Sequence, residues 1–200
     1  MKTQLPTLEE LKEFDLESLR EFAEDGGLGV QVDDMFDNPP GIVPYKLYAY
    51  LSTTFNDSII LDIGTSWGCS ALALSFNPTN TVLSYDVKDY GKEVKKENIT
   101  FKIRDFQKDE DIDYKKVKMI LLDTNHTGTQ EVEFIQFLIE KDWDGLLLLD
   151  DIHLNEPMQN FWECFDEDIK VDVTELGHGV NNSSSPYGTC GTGFVEFGEI

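Results

Sequence analysis

Short runs of apolar residues, each the length of a strand and separated by stretches with helical spacing, constrain this chain more than any other feature. They fall at residues 59–63, 81–85, 99–103, 117–122, 146–149 and 170–176. Met119-Ile-Leu-Leu122 and Leu146-Leu-Leu-Leu149 show no polar alternation, which suits strands covered on both faces, as in parallel sheets. The expected fold class is α/β, a doubly wound (Rossmann-like), mostly parallel sheet. Gly193-Phe-Val-Glu-Phe197 reads as a further, seventh strand.

Ahead of these runs, Leu8, Leu11, Leu19 and Phe22 recur at near-helical intervals, predicting one or two amphipathic helices before Gly26-Gly27. A turn-rich stretch, 37–41, then leads into a helix over Tyr45–Ser52. Two hundred residues with 40% apolar content suffice for a core without disulfide or metal staples. We expect one domain over 1–200, with 1–52 as a helical cap region and 53–200 as the core. The stretch from Gly177 to Gly193, rich in Gly, Asn and Ser, reads as an active-site loop or a mobile tip. Met158 to Trp162 reads as the core face of a helix.

The 39 acidic residues outnumber the 16 basic ones, and the formal charge of −23 repels phosphate backbones and anionic lipid surfaces. Nucleic acid and membrane partners are therefore not expected. The acidic runs, such as Asp33-Asp34, read as solvated surface. No run approaches the roughly 18 apolar residues of a membrane span, and the first residues carry no apolar leader. A cytoplasmic location, with Cys69, Cys164 and Cys190 reduced, is the expectation.

In an open parallel sheet, ligands sit beyond the carboxyl ends of the strands. The first run leads into Asp62-Ile-Gly64-Thr-Ser-Trp-Gly68-Cys-Ser70. Its glycines let the backbone turn tightly and approach a ligand. The spacing Gly-x-x-x-Gly lacks the middle glycine that makes room for a pyrophosphate, which favours a nucleoside ligand and disfavours a nicotinamide-dependent oxidoreductase. Asp86 closes the second run, where a carboxylate can accept from both ribose hydroxyls, and Asp105 closes the third, where an adenine amino group can be read.

The fourth run ends in Asp123-Thr-Asn-His126, the fifth in Asp150-Asp151-Ile-His153 and the sixth in Gly177-His178. Asp123, Asp150 and Asp151 would repel one another if all were ionised, so either a divalent cation or a proton must relieve them. Hard oxygen ligands suit Mg²⁺ or Mn²⁺. A module that only bound a nucleoside, or a catalytically inactive partner-binding module, would have no need of these acids and histidines.

The segment from Asp62 to Ser70 followed by Asp86 resembles the first cofactor motifs of the class I S-adenosylmethionine-dependent methyltransferases. The Asp123 and Asp150-Asp151 strand ends resemble the small-molecule and sugar O-methyltransferase group among them. This resemblance implies S-adenosylmethionine as cofactor, held by Asp62, Gly64, Thr65, Ser66, Gly68, Ser70, Asp86, Asp105 and Asp123. It implies an antiparallel last strand and a hydroxyl of a small molecule or sugar as acceptor, and leaves a homo-oligomer open. By the same resemblance Asp123, Asp150 and Asp151 would be the ligands of Mg²⁺ or Mn²⁺; our own reading of the strand ends makes Asp123 a catalytic group together with His126 or His153 as general base.

Overall fold

The structure is a computed structural model that describes residues 4–28, 31–37, 42–91, 94–177 and 190–198. Every apolar run contributes a strand: β1 Ile59–Ile63, β2 Thr81–Asp86, β3 Ile99–Ile103, β4 Val117–Leu122, β5 Leu146–Asp150, β6 Lys170–Asp172 and β7 Thr192–Glu196. They form one seven-stranded sheet in the order β3-β2-β1-β4-β5-β7-β6. Pairing is parallel from β3 through β5, and β7 runs antiparallel to β5 and β6. The chain winds outward from β1 to β3 and then crosses to β4 on the other side of β1. The strand order therefore reverses between β1 and β4, the position at which such sheets open a crevice.

The helices are α1 Leu8–Glu13, α2 Arg20–Asp25, α3 Gln31–Phe36, α4 Ile42–Ser52, α5 Cys69–Leu74, α6 Thr129–Glu140, α7 Glu156–Glu163 and α8 Thr174–Gly177. Successive strand residues face opposite sides, and both sides are apolar. Ile60, Met119, Leu121 and Leu148 join Leu47, Leu51 and Leu72 of α4 and α5 in one cluster. Leu61, Ile120, Leu122 and Leu149 meet Phe134 and Leu138 of α6 and Phe161 and Trp162 of α7 in the other. Each such side chain contributes roughly 1.5–3 kcal/mol on burial. Continuous apolar strands are the consequence of this double cover. Upstream, a capping box starts α1: Thr7 Oγ1 accepts from Glu10 N at 3.3 Å, and Glu10 Oε2 accepts from Thr7 N at 2.8 Å.

Two segments differ from the sequence reading. The run 170–176 is a strand only to Asp172, because Asp172 Oδ1 accepts from the Thr174 amide at 2.9 Å and turns the chain into α8. Residues 31–36 form a helix, α3, that the sequence reading did not predict; its Asp33 is exposed, as expected of solvated surface, while Met35 and Phe36 are buried. Most of the turn at 37–41, and His178 with the stretch that follows it to 189, lie outside the described residues. Among the described residues no helix is long and apolar enough to cross a membrane.

Candidate active site

The turn after β1 is built by backbone contacts on both sides. Gly64 N donates to the Tyr85 carbonyl of β2 at 2.9 Å, and Asp123 N donates to the Ile63 carbonyl at 2.9 Å. Gly64 has a φ of +95°, and a Cβ on it would lie 1.5 Å from the Asp123 carbonyl oxygen. No other residue type fits there. Gly68 turns back at φ +97° to begin α5, with Phe101 3.2 Å from where its Cβ would be. Trp67, between them, stands 48% exposed against the Tyr90 ring. It thus leaves the inner side of the turn clear.

Asp62 and Thr65 are buried beneath this turn. Asp62 Oδ2 accepts from Ser84 Oγ at 2.8 Å, whereas Asp62 Oδ1 and Thr65 Oγ1 are buried with no hydrogen-bond partner. Burial pushes the Asp62 carboxyl up to about 6, against the pull of the nearby Thr65, Ser84 and Ser70 hydroxyls. A buried acceptor without a donor is unfavourable.

Beyond the carboxyl ends of β1 to β4 lies a cavity of about 400 Å³, a usual size for a small-molecule site. Gly64, Ser66, Asp86, Asp105, Phe106 and Asp123 are part of its lining. Asp86 ties the turns together, its Oδ2 accepting from Ser66 N at 2.9 Å and its Oδ1 from Lys88 N at 2.9 Å. A carboxylate offers about four acceptor directions, which leaves capacity for ligand hydroxyls. Asp105 caps a short turn by accepting from Gln107 N at 3.1 Å.

Asp123 also belongs to a second group, beyond β4 and β5. His126 Nε2 lies 3.3 Å from Asp123 Oδ1 and 3.5 Å from Asp151 Oδ2. Burial works against a proton on that ring, but Asp123 and the charges of Asp151 and Glu131 outweigh it, so the imidazole is held above its ordinary pKa. Asp150 is driven well above the carboxylate range, first by burial and then by the charges of Asp123 and Asp151. His126 and Asp151 have φ of +54° and +59°, a conformation rare outside glycine. Such strain persists only where neighbours over-determine it.

These shifts run in the direction that eases repulsion among Asp123, Asp150 and Asp151: Asp150 holds a proton more readily, and the His126 ring lies between the other two. Among the described residues no three His, Cys, Asp or Glu side chains are grouped as metal ligands. His153 takes a separate partner, its Nε2 lying 2.7 Å from Asp172 Oδ2 at the end of β6. The three cysteines form no disulfide.

Several residues here escaped the sequence reading. Tyr45 and Tyr48 of α4 have their phenols pushed up by burial and by the charges of Asp150 and Asp123, and their rings meet edge to face. Their three-residue spacing on one helix face was the available signal. Glu131, 2% exposed, accepts from Thr124 Oγ1 at 2.9 Å and from His126 N at 3.0 Å. Asn155 Nδ2 donates to the His126 carbonyl at 3.0 Å. Nothing in the sequence distinguished these two from surface residues.

No protein-family model matches the chain, and no curated protein matches it in sequence. Solved structures do match it in shape. The S-adenosylhomocysteine-bound methyltransferase PaMTH1 of Podospora anserina aligns over 100% of both chains at 14% identity, with a TM-score of 0.58. The O-methyltransferase TomG of Streptomyces achromogenes, in complex with S-adenosylmethionine, aligns over 92% of this chain and 91% of its own, at 15% identity and a TM-score of 0.54. The N-methyltransferase NodS of Bradyrhizobium japonicum, with S-adenosylhomocysteine, aligns over 90% of this chain and 97% of its own, at 14% identity and a TM-score of 0.54. With the strand order, the glycine turn and the cavity beyond β1 to β4, these likenesses establish that the chain has the fold of the class I S-adenosylmethionine-dependent methyltransferases.

Proposed function

We propose that this chain is an S-adenosylmethionine-dependent methyltransferase acting on a hydroxyl of a small molecule or sugar. The observation that carries the reading is the pairing of a glycine turn that excludes any Cβ with a buried, partnerless carboxylate oxygen on Asp62 beneath it. That oxygen suits the ammonium of a methionine moiety. Asp86 has acceptor capacity for ribose hydroxyls, and Asp105 and Phe106, which line the same cavity, would take the adenine. Gly64, Thr65, Ser66, Gly68 and Ser70 complete the turn around the methionine portion.

Bound there, S-adenosylmethionine would supply an electrophilic methyl group on sulfur. The residues beyond β4 and β5 then have two tasks: to align the acceptor and to take its proton. In this reading His126 is the base, oriented by Asp123 and Asp151, which stabilise the imidazolium once the proton has moved. Tyr45, Tyr48 and Asp150, buried beside this group, would keep water from it. His153, paired with Asp172, is a reserve candidate for the same role. The net charge of −23 disfavours a nucleic-acid acceptor.

Titration calorimetry with S-adenosylhomocysteine tests the reading: binding at micromolar to millimolar ligand supports it, and no heat up to millimolar ligand rejects it. Formation of S-adenosylhomocysteine in the presence of a chelator tests the base. Turnover that survives chelation leaves His126 as the base without a metal, and a loss restored by Mg²⁺ or Mn²⁺ assigns Asp123, Asp150 and Asp151 as its ligands.

A further inference from the structure

We propose that Glu131 is a positioning residue that holds the His126 ring between Asp123 and Asp151, a role that rests on the methyl-transfer reading for its purpose but not for its geometry. Glu131 sits in the first turn of α6 and is 2% exposed. Its Oε1 accepts from Thr124 Oγ1 at 2.9 Å and from His126 N at 3.0 Å, and its Oε2 lies 3.4 Å from Thr127 Oγ1. An acid in the first turn of a helix ordinarily serves the helix's own amides. Here that task belongs to Thr127, whose Oγ1 accepts from Gln130 N at 3.1 Å. The three Glu131 contacts run backward into the turn that carries His126.

That turn needs outside support. His126 has a φ of +54°, and a residue with a Cβ stays there only when its surroundings fix it. Asn155 grips the opposite side, donating through Nδ2 to the His126 carbonyl while its Oδ1 accepts from Met158 N at 2.9 Å to start α7. Gly128 lies so close to α7 that a Cβ on it would approach the Pro157 carbonyl oxygen to 2.5 Å. Glu131 from α6 and Asn155 from α7 thus clamp one peptide segment from both ends. The ring at its centre is delivered to 3.3 Å and 3.5 Å from the two aspartates. Without the buried carboxylate, the turn has no other described partner for the His126 amide.

Carbethoxylation by diethylpyrocarbonate, read peptide by peptide in the ligand-free protein, tests this with His153 as internal standard. In Glu131→Ala the His126 ring should label about ten- to hundredfold faster, the scale of losing hydrogen bonds to a charged group, with His153 unchanged. Glu131→Gln, whose amide oxygen can still accept from His126 N and Thr124 Oγ1, should restore slow labelling. Turnover in Glu131→Ala should fall in kcat with the KM for S-adenosylmethionine held. Unchanged His126 labelling, or equal acceleration of both histidines, overturns the proposal. If Glu131→Ala does not fold, hydrogen exchange in the wild type decides: the His126 amide must be protected like core amides, and rapid exchange overturns the clamp. Wild-type protein that failed to bind S-adenosylhomocysteine would remove the methyl-transfer reading and leave the labelling result standing.

Discussion

The two halves of the strand-end edge are built on opposite principles. Beyond β1 to β3, Asp86 and Asp105 are occupied by backbone amides of adjacent turns, and the cavity between them is open. Beyond β4 and β5, by contrast, the acids crowd around one imidazole, and the charges of Asp123 and Asp151 act on both His126 and Asp150. The first half resembles a prepared receptacle; the second holds charge in reserve. Binding a nucleoside asks for fixed acceptors, whereas moving a proton asks for groups whose protonation can change.

The comparison makes a first prediction about rate. Replacing His126 by Asn should lower methyl transfer by about 10²–10⁴, the usual share of a general base, with S-adenosylhomocysteine affinity preserved. In the wild type, the rate should rise with pH through a midpoint above the ordinary imidazole value of 6.5, because only the neutral ring accepts a proton and its pKa is raised. A parallel loss of affinity in the variant would erase the distinction between the halves.

Gly64→Ala strikes the point where the halves touch, through the Asp123 carbonyl. A displaced β4 end and an unfavourable backbone angle should together destabilise the chain by roughly 3–5 kcal/mol, measurable as a fall in the urea midpoint.

Asp62→Asn separates stability from binding. The folded state holds the Asp62 proton more tightly than the ordinary value of 3.8 allows, so this group's contribution is fully present below 3.8. It is lost as pH rises to about 6, and is level above that. At pH 7 the ligand-free Asn variant should therefore be more stable than wild type by about 3 kcal/mol at most, and equal to it near pH 4. Its affinity for S-adenosylhomocysteine should nonetheless fall. Denaturation at both pH values, with calorimetry alongside, checks the pair of effects; a variant that is destabilised at pH 7 would contradict the burial argument.

Asp86→Ala should weaken S-adenosylhomocysteine by about 1.5–3 kcal/mol, the value of hydrogen bonds to a charged acceptor, with little effect on the pH profile. A shifted profile would show that the two halves communicate.

What could be read in the sequence followed the same division. The strands were legible because a doubly covered sheet demands unbroken apolar runs, and the meeting of Gly64, Asp86 and Asp105 at one cavity followed from where those strands end. The reactive half was legible in its aspartates and His126 but not in their arrangement. Whether three acids hold a cation, or an imidazolium and a proton, depends on side-chain directions set by a turn at φ +54°. Glu131 and the α4 tyrosines come from segments whose relation to β4 and β5 exists only after folding. Helix α3 was not predicted, because its acidic residues read only as solvated surface.

The placement of β7 between β5 and β6 also governs the order of assembly. Strand β6 meets the sheet only through β7, pairing Lys170 with Val195, Val171 with Phe194 and Asp172 with Gly193. A chain emerging from its amino terminus can close β1 to β5 early, but β6 must wait as an unpaired edge until Thr192–Glu196 has been made. Asp150 also waits, since its backbone neighbour across the ladder is Thr192. Asp150 is thus enclosed last, when most of the apolar sheet already exists to hold it.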